Sequence, residues 1–203
     1  MIAIITGDII NSEKSKDSEW LNILKNEFSK WGNTPVDWEI YRGDEFQLKI
    51  NPKKALWAAI QIKAVVKSIK NLDVRMAIGV GSESFKGDSV SESNGTAYKR
   101  SGRTFETLKE EKLNLAIATG NKKEDKNLNL MIKLALDFMN EWTLVSAEII
   151  AVTLFNPKMS QQEIASQLNI QQSAVSQRQK RARLDLVREL LNYYPSTVKR
   201  MKP

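Results

Sequence analysis

Apolar and polar positions alternate with two different periods along this chain. Residues 2–10, IAIITGDII, are an apolar, β-branched run broken at Gly7-Asp8, which predicts a buried strand with an acid near its carboxyl end. Trp20, Leu21, Leu24, Phe28 and Trp31 then recur at helical spacing, with Ser18 as the candidate cap and Gly32 as the stop. Val36, Trp38 and Ile40 alternate on one arm and Phe46, Leu48 and Ile50 on the next, predicting strands at 36–42 and 46–50. Gly43-Asp44 between them makes this a β-hairpin with an acidic tip. Pro52 opens a second helix to about Lys70, and VRMAIGVG predicts a strand at 74–80. A polar stretch leads to a helix from about Gly95 to Glu111, and LNLAIAT predicts a last strand at 113–119.

The order β-α-β-β-α-β-α-β predicts an α/β (α+β) fold: a ferredoxin-like or palm-like sheet, partly antiparallel and partly parallel, with helices on one face. GNKKEDKN, residues 120–127, has no apolar residue and reads as a linker. Beyond it every period is helical, over 128–141, 144–155, 160–168 and 171–193. The expected organisation is a palm-like domain over 1–120 followed by an all-α domain over 128–203.

Within the helical part, residues 159–182, MSQQEIASQLNIQQSAVSQRQKRA, carry the most specific local pattern. Ser160 with Glu163 three residues on is a capping box, and Ile164, Ala165 and Leu168 give the short helix a buried face. Asn169 supplies a residue that tolerates the left-handed turn, and Ile170 and Val175 pin a second helix. This is helix-turn-helix spacing, over 160–182, with the second helix suited to a DNA major groove. Its polar positions are Gln171, Gln172, Ser173, Ser176, Gln177, Arg178, Lys180 and Arg181. Amides and hydroxyls toward the amino end can read base edges, and cations further along can hold phosphates. The stripe Ala182, Leu186, Leu190 reads as core packing; paired half-sites would require a homodimer.

Charge sharpens this picture. Of the net +7, residues 156–203 hold an excess of six, nine Lys/Arg against three acids, leaving the first 155 residues nearly neutral. Clustered cations gain free energy by releasing phosphate counterions, so the basic end favours double-stranded DNA as partner. The 203 residues include no Cys and no His, which excludes disulfides, thiolate or imidazole zinc sites and Ser-His-Asp catalysis. Acid–base or metal chemistry must therefore use carboxylates. The opening MIAIITGD lacks a signal peptide's basic flank and long apolar core, and the 14-residue apolar stretch from Trp142 to Phe155 contains Glu148. The expectation is a cytoplasmic protein without a membrane partner.

Asp8 at a strand end and Asp44 and Glu45 on the neighbouring hairpin could together hold a hard divalent cation. Turn chemistry alone also favours Asp at a hairpin tip. Gly79 and Gly81 read as marking close backbone approach, and Arg42 and Arg75 as ordinary pairs for nearby acids.

ITGDI, RGDEF, VRMAIGVG and a G-x-x-x-K-x-x-x-R stretch resemble palm-type nucleotidyl cyclases and GGDEF domains. That resemblance implies Mg²⁺ or Mn²⁺ at Asp8 and Asp44, with Glu45 and the Ile9 carbonyl adjoining, and Arg103 with Lys99 steadying a nucleotide's phosphates. Lys99 stands where the cyclases carry Asn, and RGDEF has one Gly where they have two. Over nearly its full length the chain more closely resembles the SatD family of bacterial proteins, through AIITGDIINS, RGDEFQ, SNGTAY…SG and the terminal helix-turn-helix. The expected function is a DNA-binding regulator whose amino-terminal part binds a nucleotide and a divalent metal. The alternative is a nucleotidyl cyclase or transferase-like enzyme.

Overall fold

A computed structural model describes residues 1–14 and 19–200. The expected Ser18 cap lies outside the described residues. The chain runs β1 (Ile2–Ile10), α1 (Glu19–Phe28), β2 (Trp38–Tyr41), β3 (Glu45–Ile50), α2 (Ala55–Lys67), β4 (Asp73–Gly81), α3 (Thr96–Leu108) and β5 (Leu115–Ala118). Five helices follow: α4 (Lys122–Met139), α5 (Leu144–Phe155), α6 (Gln161–Leu168), α7 (Gln172–Arg181) and α8 (Leu184–Arg200).

The strands form one mixed sheet in the order β2-β3-β1-β4-β5. β1 is antiparallel to both neighbours, with Asp8 opposite Glu45 on one side and Arg75 on the other, while β4 and β5 run parallel. β3 thus lies between the parallel strands β1 and β2, the split βαβ arrangement expected from the element order. The fold is α/β, with the antiparallel-plus-parallel sheet that the sequence predicts.

Helices cover both faces of this sheet, where one was expected. Strand side chains alternate between faces, so β1 sends Ala3, Ile5 and Ile9 into the large core beneath α1 and α2. Ile4 instead meets Ala97 and Tyr98 of α3 on the other side. The parallel β4–α3–β5 connection requires a crossover, and small residues let it lie close. Gly79 and Gly81 are those residues: a Cβ on Gly79 would lie 2.1 Å from the Ala97 carbonyl oxygen and 2.3 Å from the Ser101 nitrogen. The expected close backbone approach is therefore real. Thr6 Oγ1 donates to Ser101 Oγ at 3.0 Å, satisfying two buried hydroxyls across the same contact.

Two further boundaries depart from expectation. Residues 122–127, read as linker, are the first turns of α4: Asn121 caps it by accepting from the Lys123 and Glu124 backbone N–H groups. Glu124 and Asp125 suit the positive end of the helix, and Asp125 also accepts from the Thr119 backbone and hydroxyl. A solvent-facing first turn has no apolar residue and resembles a loop in sequence. The helix predicted over 171–193 is two helices, α7 and α8, parted at Ala182 and Arg183, the latter at φ 56°. Trp142 Nε1 donates to the freed Ala182 carbonyl at 2.9 Å. The break splits the expected stripe: Ala182 and Leu190 are buried, but Leu186 is 41% exposed.

One apolar cluster runs from Ile5, Phe46 and Ile78 of the sheet through Ile60 of α2 to Ile149, Val175 and Tyr194 of the later helices. Trp38 and Trp142 are buried in it, and Trp20, Trp31 and Trp57 pack partly against it, as amphipathic spacing suggests. Tyr194 donates its hydroxyl to the Pro52 carbonyl at 2.8 Å, and Gln61 Nε2 donates to the Ala151 carbonyl at 3.1 Å. Both bonds tie the sheet-bearing part to the carboxyl-terminal helices.

Lys63 of α2 is fully buried and donates to Asp73 Oδ1 at 2.8 Å. Burial holds its ammonium below the ordinary lysine value, opposed by Asp73. Asp73→Asn removes the counter-charge and should cost roughly 2 kcal/mol in chemical denaturation, short of a fully enclosed pair because Asp73 keeps some contact with solvent. With the folded value depressed, the unfolded chain binds more protons in the alkaline window below the ordinary lysine value. Stability at this site therefore rises with pH there.

Candidate nucleic-acid interface

Local chemistry fixes the α6–turn–α7 unit. Ser160 Oγ accepts from the Glu163 backbone N–H, and the Glu163 carboxylate accepts from the Ser160 backbone N–H at 2.7 Å, closing the capping box. The bonds its carboxylate accepts from the Ser160 backbone N–H and, at 2.8 Å, from the Ser160 hydroxyl hold the Glu163 carboxyl below the usual carboxylate range. At the other end Asn169 adopts φ 52°, ψ 48°, and the Ile170 N–H reaches back to the Ala165 carbonyl at 3.0 Å, a Schellman closure. Asn169→Gly should leave the melting temperature unchanged or slightly raised. Asn169→Val should lower stability by about 1–2 kcal/mol, because a β-branched residue resists the left-handed region. Thermal unfolding of the two variants checks this.

Ile164, Ala165 and Val175 are buried where α6 and α7 meet, with α5 closing the third side. The opposite side of α7 is open. Gln171, Gln172, Ser173, Ser176, Gln177, Lys180 and Arg181 are all exposed, seven of the eight positions expected to face DNA. Arg178 differs: it is half-buried, and its Nη1 lies 3.3 Å from Glu148 Oε2 of α5. Its place is on the flank that packs toward α5, so its cation is partly committed within the protein.

Sequence periodicity misses a set of amides behind this face. Gln172 Nε2 donates to Gln161 Oε1, Gln161 Nε2 donates to Gln179 Oε1 at 2.8 Å, and Gln179 Nε2 donates to Thr153 Oγ1 at 3.2 Å. This relay joins α7 to α6 and α5 and sets the angle at which α7 is presented. Its signal is a polar residue on a buried stripe: Gln179 falls between Val175 and Ala182 at helical spacing. Beside it, Lys180, Arg181, Arg183 and Arg188 line a groove between α7 and α8 in which Asp185 is the one acid among the described residues.

The amino-terminal acids occupy a different region. Asp8 accepts a bidentate pair from Arg75, Nε to Oδ1 at 3.1 Å and Nη2 to Oδ2, and the same guanidinium lies 5.7 Å from the Phe105 ring centroid. Asp44 accepts from Ser12 Oγ, and the Ile9 N–H donates to the Asp44 carbonyl at 3.2 Å, which brings the tip against β1. Glu45 faces Arg42 at 3.9 Å. Both arginines thus make the acid pairs expected of them. Lys99 and Arg103 are exposed one turn apart on α3, and among the described residues neither bonds to Asp8, Asp44 or Glu45. No group of three or more acids among the described residues is placed to hold a metal ion. As arranged, these carboxylates already have protein partners, and a divalent cation does not fit without displacing Arg75 from Asp8.

The fold and this open face define an α/β protein carrying a helix-turn-helix pair near its carboxyl end. The SatD family description matches residues 1–189, and the chain belongs to the SatD family. No curated protein and no solved structure matches it significantly. No helix of the described residues is long and apolar enough to cross a membrane.

Proposed function

We propose that this chain is a DNA-binding regulatory protein that lays α7 in the major groove of double-stranded DNA. The observation that carries this reading is the open polar face of α7, with amides and hydroxyls toward its start and Lys180 and Arg181 toward its end. A helix of this composition, propped by two others and closed by a fixed turn, matches the groove in width and in hydrogen-bonding character. Gln171, Ser173, Ser176 and Gln177 read base edges. Lys180 and Arg181 fix the frame on phosphates, with the groove cations Arg183 and Arg188 extending the same field. The net excess of six positive charges after residue 155 supplies the long-range attraction.

Nucleotidyl transfer would need a cation held by Asp8 and Asp44. Given the Arg75 and Ser12 contacts, no catalytic step is assigned to these acids.

Fluorescence anisotropy with a labelled duplex, repeated across a salt series, tests the DNA reading. The logarithm of the association constant should fall linearly with the logarithm of salt, with a slope of about −0.9 per phosphate neutralised. Flat or absent binding at low salt rejects it.

A further inference from the structure

A pocket of about 420 Å³ lies where α2 and the turn before it meet α5 and α8. It shares no lining residue with the groove between α7 and α8 and includes none of the amino-terminal acids. Its walls are mainly apolar and include four aromatic residues, Trp31, Trp57, Phe155 and Tyr194, beside two leucines and two prolines. Its charged residues are Lys30, Lys53 and Lys54, and no acid among the described residues lines it. Lys30 is already committed, to Glu27 at 2.7 Å and over the Phe155 ring at 3.9 Å. Lys53 and Lys54 are exposed and make no ion pair among the described residues.

Gln61 adds a polar group with unmet hydrogen-bonding capacity to the pocket wall. It lines the pocket, is 2% exposed, and spends its Nε2 on the Ala151 carbonyl, yet its Oε1 is buried with no hydrogen-bond partner. A buried unsatisfied acceptor costs about 1–3 kcal/mol, and Gln61 is the pocket-lining residue that carries one. The volume is within the usual range for small-molecule sites, and apolar and aromatic walls with a few convergent polar groups are their common lining.

We propose that this pocket binds a planar aromatic anion: its ring among Trp31, Trp57 and Phe155, its anionic group at Lys53 and Lys54, and an N–H or O–H donor toward Gln61 Oε1. The cations at the mouth recognise carboxylate and phosphate alike, so both an aryl carboxylate and a mononucleotide carry the required chemistry. Because the walls come from the sheet-bearing part and the late helices together, occupancy would brace their junction. The site does not depend on the DNA reading.

Calorimetric titration of the full chain without DNA tests the site, using indoleacetate, skatole, which has the same ring without the carboxylate, and GMP. Either indoleacetate or GMP should bind. Skatole should bind at least about tenfold more weakly than indoleacetate if the carboxylate is engaged. Lys53→Ala with Lys54→Ala, both surface positions, should weaken the bound anion about tenfold while leaving the far-ultraviolet circular dichroism unchanged. Binding by indoleacetate, with GMP silent, assigns the carboxylate source; the converse assigns the phosphate source. Equal affinity for indoleacetate and skatole with no effect of the double substitution would reduce the pocket to an apolar cleft and overturn the proposal. So would the absence of binding by indoleacetate and GMP at millimolar concentration.

Discussion

Replacing Lys180 and Arg181 together with alanine should weaken duplex binding by about 10- to 100-fold and reduce the salt slope by about two, one for each phosphate that the protein no longer neutralises. Both side chains are exposed on the open face of α7 and neither makes an ion pair among the described residues, so the folded state should be little disturbed. Arg178→Ala should do less to affinity. Its guanidinium is shared with Glu148, and its removal acts first on the packing of α7 against α5. A comparison of the two variants by anisotropy, with thermal melts as control, separates groove contact from support. Equal losses of affinity in both variants would contradict the assignment of Lys180 and Arg181 to the phosphate frame.

Gly79→Ala should be the most damaging glycine-to-alanine change in the sheet. The new Cβ would lie 2.1 Å from the Ala97 carbonyl and 2.3 Å from the Ser101 nitrogen, both in the backbone of α3, which cannot step aside as a side chain can. Relief requires lifting α3 from β4, which separates Ile4 from Ala97 and Tyr98 and strains the Thr6–Ser101 bond. Overpacking of this kind costs typically 1–3 kcal/mol, and a rigid backbone neighbour places this site at the upper end, about 3 kcal/mol. For a chain of this size that corresponds to a fall in melting temperature of roughly 6–12 °C. Gly102→Ala is the matched control: a Cβ there meets nothing within 4 Å, and a mid-helix Gly to Ala change should stabilise slightly.

Much of this architecture is legible in the pattern of side chains, for identifiable reasons. Strong alternation in FQLKI and the β-branched run at the amino terminus have one low-energy solution each, so the strands are legible to within a few residues. The capping box at Ser160 and the left-handed Asn169 are local chemistry, and local chemistry survives folding unchanged. What the pattern hides is tertiary. Whether α3 lies above or below the sheet is decided by the parity of Ile4, Ala77 and Gly79, which means little until strand pairing is known. The parting of α7 from α8 carries no Gly or Pro; it is held by Ala182 burying and by Trp142 reaching its carbonyl from 40 residues away.

The same distinction applies to the candidate sites. Exposure of the α7 face follows from the helical period, which accounts for seven of the eight polar positions; the partner of Arg178 on α5 is invisible to a period. The glutamine relay and the orphan Gln61 acceptor depend on which amides meet in space, and neither has a sequence signature beyond polar residues on apolar stripes. The acid-tipped hairpin lies beside β1 as its pairing implies, with Asp8 directly across from Glu45. Its neighbours Arg75 and Ser12 convert a would-be cation cage into satisfied pairs.

Site-directed photo-crosslinking reads out where on the molecule a bound duplex lies. A benzophenone side chain placed at Ser176, in the middle of the open face, should attach to a labelled duplex in a salt-sensitive way. The same group at Arg103, exposed on α3 of the sheet-bearing part, should not. Crosslinks at Arg103 with none at Ser176 would put the nucleic acid away from α7 and refute its placement in the groove.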